Sequence, residues 1–130
     1  MIIGIGTDLI EINRIETLLS RHKERFLGRV FTRHEITTAS VVSNSAASFA
    51  KRFAAKEAFV KALGTGFSQG IKLTEIEVYN NSSGQPHLRL YGTAQRTLDH
   101  RLAGYQEKCV HLSLSDTHTE ALAFVIIEGW

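Results

Sequence analysis

The chain has 130 residues, 43% hydrophobic and 22% charged, an ordinary globular composition that can bury a real core and make one domain over 1–130. The net charge is only +2, the charges are interspersed and no Lys/Arg run occurs, so a nucleic-acid footprint is excluded in spite of a pI near 8.9. One cysteine, Cys109, excludes an internal disulfide framework and fits a reducing compartment.

In chain order, Ile2 to Ile12 reads as a strand, with Ile3, Ile5 and Leu9 on one face and Gly4, Gly6, Asp8, Ile10 and Ile12 on the other. This opening lacks the basic n-region of a signal peptide, and Asp8 interrupts its apolar run. No apolar stretch reaches the roughly 20 residues of a membrane span. The expectation is a soluble, cytoplasmic protein with no membrane partner. Asn13 to Leu19 and Lys23 to Val30 read as two short helices. Thr32-Arg33-His34-Glu35 matches a capping box. Ser43-Asn44-Ser45 is cap-forming, and a long helix follows from about Ala46 to Leu63, stopped by Gly64-Thr65-Gly66.

Leu73 to Tyr79 and His87 to Tyr91 read as the strands of a hairpin around Asn80–Pro86. Thr93 is read as the cap of a helix carrying Ala94, Leu98 and Leu102 and ended by Gly104. Cys109 to Ser115 and Ala121 to Glu128 form a last hairpin around Asp116-Thr117-His118-Thr119. In Ala121–Ile127 both faces are apolar, so this strand needs a cover on each side, and in so small a chain another subunit is a candidate for one of them. The fold class is α+β.

Within Lys51–Gly66, helical stepping places Phe53, Ala54, Val60 and Lys61 on one face with Glu57. A core-facing stripe is normally apolar. Glu57 and Lys61 are therefore either a surface ion pair or the lining of a polar pocket. Asp8 sits in an apolar strand, as a solvent-facing residue or as a metal ligand opposite Glu57. Two carboxylates on rigid elements suit Mg²⁺. Gly4-Ile5-Gly6 is not a dinucleotide loop: the third glycine is missing and the glycines lie inside the strand. Gly64-Thr65-Gly66 follows a helix, whose negative end repels phosphate, so a cation must intervene if phosphate binds there. Capping alone explains Thr32 and Glu35. His34, His87, His100 and His111 lack metal-ligand spacing. Cys109, with no evident base nearby, reads as a buried inert thiol. Arg14, Arg21, Arg25 and Arg29 form a basic region, either solvated or a dock for an acidic partner.

Four segments together resemble the holo-acyl-carrier-protein synthase family of 4'-phosphopantetheinyl transferases. They are Gly4–Ile12 with Arg14-Ile15; Phe31–Glu35; Arg52–Ala58 with Lys61–Gly66; and the hairpin from His111 to Glu128. The Gly84-Gln85-Pro86 turn fits as well. The likeness is collinear over essentially the whole chain, and the third segment is its most specific part. The resemblance implies an antiparallel sheet packed against a long central helix. It implies Mg²⁺-dependent transfer of phosphopantetheine from coenzyme A to a serine of apo acyl carrier protein, with release of adenosine 3',5'-bisphosphate. It also implies a homotrimer with sites between neighbouring subunits.

By that resemblance Asp8 and Glu57 fall on the metal-binding acids and Lys61 on the lysine near the pyrophosphate. Arg52 falls on the arginine at the 3'-phosphate end of coenzyme A, and Arg14 on a position that meets the carrier protein. Gly64, Gly66, Pro86 and Asp116 join the cofactor-binding set. Many relatives carry Ser-His where this chain has Ser115-Asp116; others have Asp there. Either Glu57 or a metal-bound water would take the serine proton. On spacing alone, a Mg²⁺-dependent diphosphate hydrolase and a trimeric binding module with a structural charged pair remain open.

Overall fold

A computed structural model of the chain describes every residue from Met1 to Trp130. Strand β1 (Ile2–Glu11) runs into helix α1 (Ile12–Val30), followed by α2 (Arg33–Ser40), the long α3 (Ser45–Leu63) and a 3-10 turn at Leu73–Glu75. Strands β2 (Ile76–Asn80) and β3 (Pro86–Leu90), helix α4 (Gly92–Arg101) and strands β4 (Lys108–Asp116) and β5 (Glu120–Gly129) complete the chain. The first strand hands over to helix at Ile12, one residue earlier than its alternation suggests.

Two antiparallel sheets result. One has the order β1-β5-β4 and the other is the β2-β3 hairpin. In the larger sheet, Gly6 pairs with Val125, Asp8 with Ala123 and Ala123 with Leu114. Because facing residues alternate along a strand, Gly4, Gly6, Asp8, Ala121, Ala123, Val125 and Ile127 share the inner face. Helix α3 packs on that face, and α1, α2, α4 and the small hairpin also pack against α3. Helix α3 is buried on nearly every side, with Ala50, Ala54, Ala55, Ala58 and Phe59 fully enclosed. Alanines let backbones approach closely here, and the helix needs no amphipathic stripe because it has almost no solvent side.

The approach is closest at β1. A Cβ built on Gly4 would stand 1.9 Å from the Ala62 carbonyl oxygen, and one on Gly6 would stand 1.9 Å from that of Ala58. The two glycines inside the strand are thus a packing device: only hydrogen fits between strand and helix.

Several local expectations hold. Asn44 caps α3 by accepting from the Ala47 amide at 3.2 Å. Gly64 closes the helix in the left-handed region, φ 79°, its N–H donating to the Val60 and Lys61 carbonyls. The two short helices expected before Val30 are both present and meet at a kink within α1, where His22 leaves helical geometry (φ −140°, ψ 39°).

Other expectations need correction. Leu73–Glu75 is a 3-10 turn rather than strand, held by the Glu75 carboxylate accepting from the Lys72 amide at 2.8 Å. Thr93 is not the cap of α4. That helix starts at Gly92, and the free Thr93 amide donates to Glu75 at 2.6 Å, so a long-range carboxylate does the work of a cap. The helix also ends at Arg101, before Gly104.

Strand β5 is covered by α3 on its inner face. On its outer face Leu122 and Phe124 are exposed, beside the exposed Ile5 and Leu9 of β1. Cys109 is half-buried, and its Sγ lies 3.9 Å from His111 Nδ1, so a base stands two residues away on the same strand. The alternation of β4 puts both side chains on one face, which the sequence reading of Cys109 passed over.

Candidate active site

Helix α3 organises two clusters. The first forms where α3 meets β1. Asp8 projects from the inner face of the strand, and Lys61, 53 residues later, reaches it from the last turn of the helix. The Lys61 ammonium donates to Asp8 Oδ1 at 3.1 Å and to the Thr7 carbonyl at 3.0 Å. Glu57, one helical turn before Lys61, is half-buried beside them. Burial raises the Glu57 carboxyl above its ordinary pKa, the Asp8 charge raises it further, and Lys61 acts in the opposite direction.

The Asp8 effect means that two carboxylates stand close enough to repel. A divalent cation between them would remove that repulsion, and carboxylate oxygens are the hard donors that Mg²⁺ takes. The residues therefore fit such an ion. Lys61 is the most open member, with a side chain 55% exposed, whereas Asp8 is 17% exposed. The reading of Glu57 and Lys61 as a simple surface ion pair does not hold, because Lys61 pairs with Asp8.

Gly64 and Gly66 lie just beyond this cluster, with φ of 79° and 57°. The Arg101 guanidinium, from the end of α4, donates to the Leu63 carbonyl at 3.0 Å. Two cations, Lys61 and Arg101, thus offset the negative end of the α3 macrodipole. Arg101, which lies 38 residues from the carbonyl it caps, was not picked out from the sequence.

The second cluster lines a cavity of about 460 Å³ beside the N-terminal half of α3. Its walls include Ser48, Lys51, Arg52, Asn80, Pro86 and Asp116. Arg52 is only 6% exposed; its Nη1 donates to Ser48 Oγ at 2.7 Å, and its Nε has no partner. Burial lowers its pKa and the Glu35 charge raises it, but a guanidinium stays charged at neutral pH. Lys51 pairs with Asp116 at 3.1 Å. Arg52, Pro86 and Asp116 are thus brought together, and Asp8, Glu57, Lys61, Gly64 and Gly66 lie outside this cavity. Lys51 was not picked out from the sequence, where it is an ordinary charged residue beside Arg52.

Between the clusters runs a buried polar core. Lys56 and Glu35 are both fully enclosed and pair at 2.6 Å. Lys56 also donates to the Val30 and Leu73 carbonyls, while Glu35 accepts from the Thr32 and Val78 amides. The capping box is real, yet capping does not exhaust Glu35, because the carboxylate also anchors the central helix. Burial lowers the Lys56 pKa, and Glu35 works against that shift. Arg14 lies elsewhere, exposed on α1. Further along that helix a smaller groove of about 210 Å³ is bounded by Leu18, His22, Arg25, Phe26, Arg29 and Val30.

Residues 4–120 match the model of the 4'-phosphopantetheinyl transferase superfamily, and the chain belongs to that family. Its relatives are holo-[acyl-carrier-protein] synthases, and it is an enzyme of that kind. It is 51% identical to the holo-[acyl-carrier-protein] synthase of Zymomonas mobilis, over 99% of this chain and 98% of the relative. Among solved structures it is similar to the holo-(acyl-carrier-protein) synthase of Bacillus anthracis in complex with CoA (3',5'-ADP). There the TM-score is 0.80 and the identity 37%, covering 100% of this chain and 99% of the other. It is also similar to the Helicobacter pylori synthase in complex with coenzyme A, with a TM-score of 0.78 and 29% identity, covering 95% of this chain and 99% of the other.

Proposed function

We propose that the chain moves 4'-phosphopantetheine from coenzyme A to a serine hydroxyl of an apo acyl carrier protein, in the cytoplasm and in the service of fatty acid synthesis. The observation that carries the reading is the meeting of Asp8, Glu57 and Lys61 where β1 crosses α3. Asp8 and Glu57 would hold Mg²⁺, with the remaining positions left to water and phosphate oxygens. Bound there, the ion would neutralise charge on the cofactor's diphosphate.

The chain's own residues have these parts. Glu57, half-buried beside Asp8, stands where the proton of the serine hydroxyl is taken up, directly or through a water. The serine oxygen forms a bond to the β-phosphorus. The bond from that phosphorus to the bridging oxygen breaks, and adenosine 3',5'-bisphosphate leaves with the electron pair. Lys61 places a compact cation where negative charge accumulates. Phosphoryl transfer asks mainly for such positioning and neutralisation. Gly64 and Gly66 allow close approach of backbone to ligand. Arg52, with its unpaired buried Nε, takes the 3'-phosphate end of coenzyme A, and Pro86 and Asp116 border the same cavity.

Arg14 and the Arg25 and Arg29 side chains beside the Leu18–Phe26 groove suit an acidic carrier protein. The chain acts as one domain and assembles as a homotrimer. The exposed apolar outer face of the large sheet supports that assembly, since Leu122, Phe124, Ile5 and Leu9 gain a cover by it. Copies meeting there would complete sites between neighbours.

The test is incubation with coenzyme A and an apo carrier protein, with and without Mg²⁺, followed by mass spectrometry of the carrier. Addition of phosphopantetheine only when Mg²⁺ is present is expected. Release of product from coenzyme A without any carrier would instead indicate a hydrolase.

A further inference from the structure

The cavity under Arg52 contains one group of the wrong sign for an anion site. Arg52 is nine-tenths buried with an unsatisfied Nε, and Lys51 stands beside it on the same helix. Two cations lining one cavity suit a ligand with two or more negative charges. Yet Asp116, at the end of β4, lines the same cavity and holds Lys51 at 3.1 Å. The pair is an exchangeable one: the two side chains are 31% and 35% exposed, and neither makes another polar contact within the chain. Asp116 makes no bond to Arg52, so it satisfies one cation of the cavity and leaves the other unpaired.

We propose that Asp116 is an affinity-limiting counter-ion: it parks the Lys51 ammonium, and a phosphate monoester enters by taking Lys51 from it while meeting Arg52. Resting on the function proposed above, the ligand group is the 3'-phosphate of coenzyme A. A dianion competes well for Lys51 because it meets two cations at once, whereas Asp116 meets one. A singly charged or neutral group at this position gains too little to break the pair. The Asp116 carboxylate therefore lowers affinity for every ligand that needs Lys51 and leaves those without the phosphate unaffected. It also keeps the cavity from holding the bisphosphate product too tightly after transfer.

A purely structural role for the pair, fastening the β4–β5 hairpin to α3, would alter thermal stability and treat all ligands alike. Calorimetric titration of the full-length chain with coenzyme A and with 3'-dephospho-coenzyme A, both in Mg²⁺ buffer, separates the two. The unchanged protein is expected to bind coenzyme A more tightly than the dephospho form. Asp116→Asn frees Lys51, and coenzyme A should then bind roughly three- to fivefold more tightly, the scale of one partly screened charge contact. The dephospho form should not change. Lys51→Met should weaken coenzyme A and again leave the dephospho form unchanged.

Weaker binding of coenzyme A by Asp116→Asn, or equal shifts for both ligands in either variant, overturns the proposal. If the unchanged protein modifies the carrier normally while the variants shift both ligands alike, this inference falls and the transferase reading stands. If the unchanged protein neither binds coenzyme A nor modifies a carrier, both fall.

Discussion

Gly6 lies so close against Ala58 that a Cβ in its place would stand 1.9 Å from the Ala58 carbonyl oxygen. That contact sets the distance between β1 and α3, and so the distance at which Asp8 faces Lys61 and Glu57. Gly6→Ala must push strand and helix apart, an overpacking change that costs typically about 1–3 kcal/mol. Urea unfolding should show that loss, and transfer should fall further than the unfolded fraction explains, because Asp8 moves with the strand. A fully active Gly6→Ala protein would show that the close approach matters to packing alone.

Glu57→Gln keeps the shape of the side chain and removes its charge. Transfer to the carrier protein should be abolished while thermal unfolding stays within a few degrees of the parent or moves upward, since a half-buried carboxylate beside Asp8 is lost. Complete modification of the carrier by this variant, read by mass spectrometry, would refute the part given to Glu57.

The Lys56–Glu35 pair is fully enclosed and every strong hydrogen-bonding direction is used. Lys56→Met leaves the Glu35 carboxylate buried without its counter-charge, which costs about 3–5 kcal/mol. The double change Lys56→Met with Glu35→Gln should recover part of this loss, because the stranded charge is gone. Unfolding free energies of the parent, of Lys56→Met, of Glu35→Gln and of the double variant give the coupling directly.

Glu77 offers a pH signature. Burial raises its pKa, but hydrogen bonds from Thr32, Arg89 and Tyr91 outweigh burial and leave the folded value below the ordinary one. A carboxyl with a depressed folded pKa stabilises fully above its unfolded pKa and loses that contribution as acid protonates it in the native state. Glu77→Gln should therefore destabilise by about 1.5–3 kcal/mol near neutral pH, the scale of hydrogen bonds to a charged group. The gap between parent and variant should close as the pH falls below about 4, the ordinary carboxylate range. A gap that is constant from pH 7 to pH 3 would rule out this assignment.

Arg14 is exposed on α1, so its contribution to a partner is that of a rim charge. Arg14→Ala should raise the Michaelis constant for the carrier several-fold at low ionic strength, with kcat little changed. Added salt should erase the difference, since the Debye length shrinks to about 8 Å near 0.15 M. An unchanged constant for the carrier at low salt would count against Arg14.

Short-range patterns were legible before any coordinates. The Thr32–Glu35 capping box, the Asn44 cap and the Gly64 stop depend on side chains and backbone within four residues of one another, so their spacing nearly dictates the outcome. Asp8, Glu57 and Lys61 stood out as charged residues in apolar elements, but spacing alone left a surface pair and a polar pocket both open. Where propensity misled, Glu75 was the cause: its carboxylate reaches the Thr93 amide 18 residues away, which local pattern does not encode, and it tightens its own Leu73–Glu75 turn through the Lys72 amide.

The sequence by itself determined most of the elements, the central helix among them. Tertiary structure alone decided which of them meet. It revealed Gly4 and Gly6 as the spacers of strand against helix, joined Lys56 to Glu35, set Lys51 on Asp116, and left the outer face of β5 bare. Each of these depends on contacts between elements far apart in the chain. Periodicity tells a residue which face of its own element it occupies, and only packing tells it what stands across from that face.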